Sequence, residues 1–218
     1  MPSAWMIGSL VIKSDLVVLI GSFIVGGFLF FWFMSPHSKM ETKKWIEEAS
    51  NLLVVFVITL WIGKIFTNLH SFISDPISIL AYPSDSKAFY IAVLLTVIFE
   101  SYRKTKRDKQ VIDLLYTFLN IFFTASFTYE FIQVISRSEI SWQYLGLLVL
   151  IIIIFIMKQE IWARETLVFI GLLCWSGGLW FLSIFSSTMV FQFNLDHWFY
   201  VVIFLTSILL LIFRKRVN

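Results

Sequence analysis

Asn51-Leu-Leu-Val-Val-Phe-Val-Ile-Thr-Leu-Trp-Ile-Gly63-Lys64-Ile-Phe-Thr-Asn68-Leu-His70 is the stretch that decides the fold. From Leu52 to Gly63 its only polar side chain is Thr59, so the run reads as an apolar helix. Lys64 then falls inside that helix, where a charge is costly and marks a functional hypothesis. The chain leaves through Asn68 and His70 into a surface segment, Asp75-Pro76-Ile-Ser-Ile-Leu-Ala-Tyr-Pro83. It returns to apolar sequence at Ala88-Phe-Tyr-Ile-Ala-Val-Leu-Leu-Thr-Val-Ile-Phe99.

The same character runs through all 218 residues: 59% are hydrophobic, 14% are charged, and the mean hydropathy is +0.85. So few charges leave too little polar surface for a domain of this size in water, so the solvent is lipid. Crossing the hydrocarbon takes about 17–25 helical residues. Seven segments qualify or nearly do: Asp15–Met34, Asn51–Leu69, Ala88–Tyr102, Val111–Ile135, Trp142–Met157, Thr166–Phe185 and Trp198–Phe213. Their apolar runs are continuous, whereas strands of a membrane barrel alternate. The expected fold is therefore all-α: a polytopic, seven-helix transmembrane bundle forming one integral-membrane domain over residues 1–218. Trp5–Ile12 is too short to cross and reads as an interfacial segment. The first long apolar run lacks a basic flank before it and a small-residue site after it, so no cleavable signal peptide is expected.

Orientation follows from the basic residues. Thirteen of the 17 Lys and Arg lie between helices one and two, three and four, five and six, or at the C-terminus. Only Lys13, Lys64, Lys87 and Arg137 fall elsewhere. The positive-inside rule then puts the N-terminus outside and the C-terminus in the cytoplasm. The helix lengths show no internal repeat, which disfavours an inverted-repeat transporter.

The polar residues inside the apolar runs carry the functional reading. Lys64 lies about 8 Å from the outer end of helix two at 1.5 Å per residue. Either it snorkels to the headgroups, or it faces inward and binds a lipid phosphate or carboxylate. Glu130 is at comparable depth in helix four, and a Lys64–Glu130 pair would lower the cost of both charges. Asn120, midway along helix four, is expected to bond across to a neighbouring helix. Asp113 and Glu100 read as solvated interfacial charges beside the basic run Arg103–Lys109, which suits anionic inner-leaflet lipid rather than nucleic acid. His70 and His197 are expected at the outer face and His37 in the cytoplasm. No histidine pair has helical metal spacing, and Cys174 is the single cysteine, so neither a metal nor a cofactor is expected. Asp196-His197 suggests a general base, but adjacent helical residues point apart and would need other partners. No Gly-x-Ser-x-Gly turn occurs. Trp5, Trp142 and Trp198 mark membrane interfaces.

The order of these features resembles the prolipoprotein diacylglyceryl transferases, bacterial membrane enzymes that move diacylglycerol from phosphatidylglycerol to a lipoprotein cysteine. Ile7-Gly-Ser-Leu-Val-Ile12 leading into the first span, Gly63-Lys64 in the second, and Asp75-Pro76-Ile-Ser-Ile-Leu-Ala81 after it look like elements of that family. So do Trp175-Ser-Gly-Gly178 and a last helix ending in basic residues. The resemblance spans nearly the whole chain through short motifs, and the departures fall on its chemistry. Tyr90-Ile91-Ala92 stands where the family has a histidine and two glycines. Phe122 to Ser126 lacks its Gly-Arg-x-Gly-Asn-Phe signature, and Leu179 replaces a late arginine. Glu130 alone falls at the signature's trailing glutamate. A lysine at position 64 can hold a phosphate as a point charge but lacks the two-pronged grip of arginine.

The resemblance thus implies a catalytically degenerate relative in the bacterial plasma membrane. Lys64 and Asn68 would bind a phospholipid or a lipid-modified partner at the outer face, in a cavity also lined by His70, Tyr90 and Glu130. Two alternatives remain: an active phospholipid-dependent acyl or diacylglyceryl transferase using His70, Tyr90 and Glu130, and a structural subunit of a larger membrane complex.

Overall fold

The protein is described by a computed structural model covering residues 4–7, 10–36, 38–76, 85–103, 108–136, 142–185 and 189–215. His37, Arg137, Arg216, residues 77–83 of the expected surface segment and residues 104–107 of the basic run lie outside these. Each of the seven apolar segments is helical, although the second runs two residues past the end of its helix at Thr67. α1 (Ser14–Leu29) runs on into a π-helical turn, Phe30–Met34, and is followed by α2 (Lys39–Thr67), a short α3 (Leu69–Ser74) and α4 (Ser86–Arg103). The rest are α5 (Asp108–Ser136), α6 (Trp142–Lys158), α7 (Arg164–Phe185) and α8 (His197–Lys215). Four stretches, Ser14–Met34, Lys39–Thr67, Gln110–Ser136 and Arg164–Phe185, are long and apolar enough to cross a membrane.

Two elements modify the all-α expectation. The N-terminal segment pairs as an antiparallel hairpin, β1 (Ala4–Ile7) with β2 (Leu10–Lys13), running into α1. A second hairpin, β3 (Met189–Val190) with β4 (Phe193–Asn194), joins α7 to α8. The surface segment after helix two also begins with a helical turn, α3.

The largest shift in a boundary is at α2, which starts at Lys39 rather than Asn51. Ser38 caps it, its Oγ accepting from the Glu41 N–H at 3.4 Å. Ser38-Lys-Met-Glu41 has the Ser-x-x-Glu spacing of a capping box. Thr42, Trp45 and Ala49 recur at helical spacing and are buried, so this charged first third of α2 packs inward on one face. Thr42 Oγ1 also meets Ser35 Oγ at 2.6 Å, tying the end of α1 to the start of α2.

α5 is the central helix: α1, α2, α6 and α7 all pack on it, while α2 pairs with α4 and α7 with α8. Small residues set the closest approaches. A Cβ on Gly26 would stand 2.7 Å from the Ile121 carbonyl oxygen of α5, and one on Gly63 would stand 2.6 Å from the Ala88 carbonyl oxygen of α4. One turn below Gly63, Thr59 Oγ1 reaches the Ala92 carbonyl at 3.2 Å and Thr96 Oγ1 at 2.9 Å, giving the α2–α4 seam a polar anchor.

Several polar residues of α5 are satisfied within their own helix. Thr117 donates to the Asp113 carbonyl (2.9 Å), Thr124 to Asn120 (2.7 Å) and Thr128 to Thr124 (2.8 Å). Asn120 does the same, its Nδ2 donating to the Tyr116 carbonyl at 2.8 Å, so the interhelical bond expected of it is replaced by a local one.

Successive helices alternate in direction and define two ends. At one, here the basic end, Arg164 Nη1 meets Asp113 Oδ1 at 2.6 Å and Arg103 meets Glu100 at 3.5 Å. Asp113 and Glu100 are therefore paired charges rather than merely solvated ones. At the other, the hairpin end, Gln133 Nε2 at the end of α5 donates to Asp15 Oδ1 at the start of α1 (3.2 Å).

Candidate functional site

Every residue singled out for lipid binding or catalysis lies toward the hairpin end, but they do not form one cluster. Lys64 is half-buried in the last turn of α2, where the partial negative charge of the helix C-terminus favours a cation. Its charged neighbour is Lys13, at the end of β2. Neither lysine makes an ion pair with a carboxylate among the described residues. Asn68 closes the helix beneath them, its Nδ2 donating to the Lys64 carbonyl (3.0 Å) and to Thr67 Oγ1 (3.0 Å). His70 follows on α3, exposed.

Glu130 is elsewhere. It is half-buried on α5 within electrostatic reach of Tyr144 of α6, with no hydrogen bond or ion pair among the described residues. The expected Lys64–Glu130 pair is thus not formed. Depth along the helix is comparable, but the charged neighbour of Lys64 is Lys13, whereas Glu130 lies within electrostatic reach of Tyr144 of α6. Below Glu130 the interior is polar and aromatic: fully buried Tyr144 accepts a hydrogen bond from Trp175 Nε1 at 3.3 Å, and buried Ser126 lies one turn down α5.

Tyr90 fastens α4 to the start of α8. Its hydroxyl donates to Asp196 Oδ2 (3.1 Å) and accepts from the Asp196 N–H (2.8 Å). Its ring stacks on Phe199 at 5.0 Å and meets Trp198 edge-on at 4.6 Å. Asp196 and His197 accordingly part company: His197 Nδ1 lies 2.6 Å from Ser183 Oγ. Ser183 already donates to the Trp180 carbonyl (2.7 Å), so the imidazole N–H is the donor to it, and the serine is not an activated nucleophile.

In comparisons with known proteins, no family model matches the chain, and no curated protein or solved structure is significantly similar to it. The described residues hold no group of three or more His, Cys, Asp or Glu side chains placed to hold a metal.

The feature that reasoning from sequence missed is the β3–β4 hairpin. Its two-residue turn, Phe191-Gln192, has positive φ at both positions, 47° and 72°. Left-handed backbone costs a residue with a Cβ about 1–2 kcal/mol. The Phe191 ring meets Phe23 of α1 at 5.3 Å and Phe122 and Tyr129 of α5 at 5.6 and 5.5 Å. Gln192 Nε2 donates to the Tyr129 hydroxyl at 2.9 Å. Phe193 packs on Phe89 of α4, with ring centroids 4.8 Å apart. A Phe-Gln turn carries none of the Asn-Gly chemistry by which such hairpins are recognised in sequence.

At the basic end a cleft of about 240 Å³ is lined by Ile112, Asp113, Ala163, Arg164 and Glu165. Two of its charged residues, Arg164 and Asp113, already pair with one another.

Proposed function

We propose that the chain is a multi-pass protein of the bacterial plasma membrane. It crosses seven times, with its N-terminus outside, and binds an anionic phospholipid at the outer face as a non-catalytic relative of the prolipoprotein diacylglyceryl transferases. α4, α6 and α8, with 18, 17 and 19 residues, are each about 25–29 Å long, close to the hydrocarbon thickness. Lysine–tryptophan contacts lie at the basic end, Lys39 over Trp32 at 5.7 Å, Lys44 over Trp45 at 5.6 Å and Lys158 over Trp162 at 5.3 Å, as suits a cytoplasmic headgroup layer. Trp142 and Trp198, both exposed, suit the opposite interface.

The observation that carries the binding reading is the Lys13–Lys64 neighbourhood: half-buried Lys64 lies within electrostatic reach of Lys13, and neither has a carboxylate partner among the described residues. A phosphate between them removes the repulsion and satisfies both. The separation of His70, Tyr90 and Glu130 among the described residues favours binding over transfer by that set. A lipid-modified protein or another membrane subunit is the partner that fits such a role.

Native mass spectrometry of the protein purified from membranes tests this. Lys64→Ala is expected to cut retained phosphatidylglycerol about tenfold, since a hydrogen bond to a charged group contributes about 1.5–3 kcal/mol. Equal retention by the variant and the parent would overturn the reading, and transfer of labelled diacylglycerol to a lipobox peptide would replace it with an enzymatic one.

A further inference from the structure

The β3–β4 turn is strained where Asn-Gly would form it without cost, so Phe191 and Gln192 answer to something other than the turn. We infer that Phe191-Gln192 is a self-inserted plug in an aromatic slot between α1 and α5, and that the slot takes a phospholipid acyl chain when the hairpin lifts.

The chemistry of the slot fits that occupant. Its wall is Phe23, Phe122 and Tyr129, apolar rings that offer nothing to a headgroup and a close fit to hydrocarbon. Phe23 lies about 13 Å below the start of α1, a depth that an acyl chain reaches and an interfacial group does not. The rim is polar: the Tyr129 hydroxyl holds the Gln192 carboxamide, and the Gln133–Asp15 bond lies one turn further up α5. Phe191 followed by Gln192 therefore imitates a hydrocarbon chain ending in a carbonyl group, and a lipid ester would meet the same hydroxyl.

The hairpin has few backbone ties of its own. Each strand has two residues, so few ladder bonds hold it. Lifting it releases the left-handed strain, against the loss of the burial of Val190 and of the Phe193–Phe89 contact. Inside a membrane, non-helical backbone at this depth is tolerated only where protein covers it or it lines a cavity. The inserted hairpin and the open slot are the two ways to meet that condition.

The inference rests on the lipid-binding reading, and the test separates the two. The purified full chain is reconstituted with phosphatidylglycerol carrying a photoreactive diazirine near the end of one acyl chain. Labelling of α5 peptides containing Phe122 and Tyr129 is then compared among the parent, Phe191→Asn/Gln192→Gly and Lys64→Ala. The double substitution keeps a favourable turn and removes the plug. A slot open about a tenth of the time or less in the parent gains labelling about tenfold once it is always open. Unchanged labelling in a variant that melts like the parent would overturn the plug, whatever Lys64→Ala does. A gain in the double variant with no loss of lipid in Lys64→Ala would keep the plug and discard the headgroup site. Should the double variant not fold, Phe191→Ala, which keeps Gln192 and its bond to Tyr129, is read in the same way.

Discussion

Phe155→Ala will destabilise the bundle by about 3–5 kcal/mol, the range for removing a buried aromatic ring and leaving its cavity. Phe155 is only 2% exposed, and its ring stacks on Tyr116 at 6.1 Å and meets Phe123 edge-on at 5.6 Å, so α6 is keyed into α5 through it. The ring fits because residue 171 of α7 is glycine: a Cβ there would stand 2.7 Å from the Phe155 ring and 3.1 Å from that of Phe123. The two positions are therefore coupled. Gly171→Leu alone is expected to destabilise by overpacking, about 1–3 kcal/mol. Combined with Phe155→Ala it enters the vacated space, so the double variant loses less than the two single losses together. Unfolding in a graded denaturing detergent, run on all four proteins, measures the cycle. Additive losses would mean that Gly171 does not make room for the ring.

Two adjacent glycines in α1 should respond with opposite signs. Gly26→Ala is expected to lose about 1–3 kcal/mol, because its Cβ would lie 2.7 Å from one α5 backbone atom and 3.3 Å from another, neither of which can rotate away. Gly27→Ala meets nothing within 4 Å and should gain up to about 1 kcal/mol from better helix propensity. The same unfolding assay decides it. Losses of equal size at both sites would show that the α1–α5 seam is not where the structure puts it.

The positions of the helices were legible because continuous apolar sequence has one solution in lipid, and their ends agree with the reading to within a few residues except at α2. There the Ser38–Glu41 capping box was present in the sequence, but the charged residues after it were read as a loop. Rotation about the helix axis was much less legible. A helix that is apolar all round gives no stripe to say which face turns inward, so Lys64 and Glu130 could be matched in depth but not in direction. Gly63 is legible whatever the rotation, since a missing Cβ marks a close approach, here to Ala88 of α4. Lys13 went unnoticed because its importance comes only from where β2 ends in space. The β3–β4 turn was illegible for a different reason: its residues oppose its backbone conformation, and only the tertiary contacts of Phe191 account for it.

α5 lies at the centre of the bundle, yet the ribosome completes it before α6, α7 and α8 exist. A helix whose hydroxyls and amides depended on those later neighbours would enter the bilayer with bare donors and wait for its partners to be synthesised. Thr117, Asn120, Thr124 and Thr128 each carry an acceptor one turn back on the same helix, so α5 reaches lipid with these donors already quenched. Its surfaces are then free to guide assembly by shape, leaving a few polar ties, such as Asp113 to Arg164 of α7, for the later helices to complete.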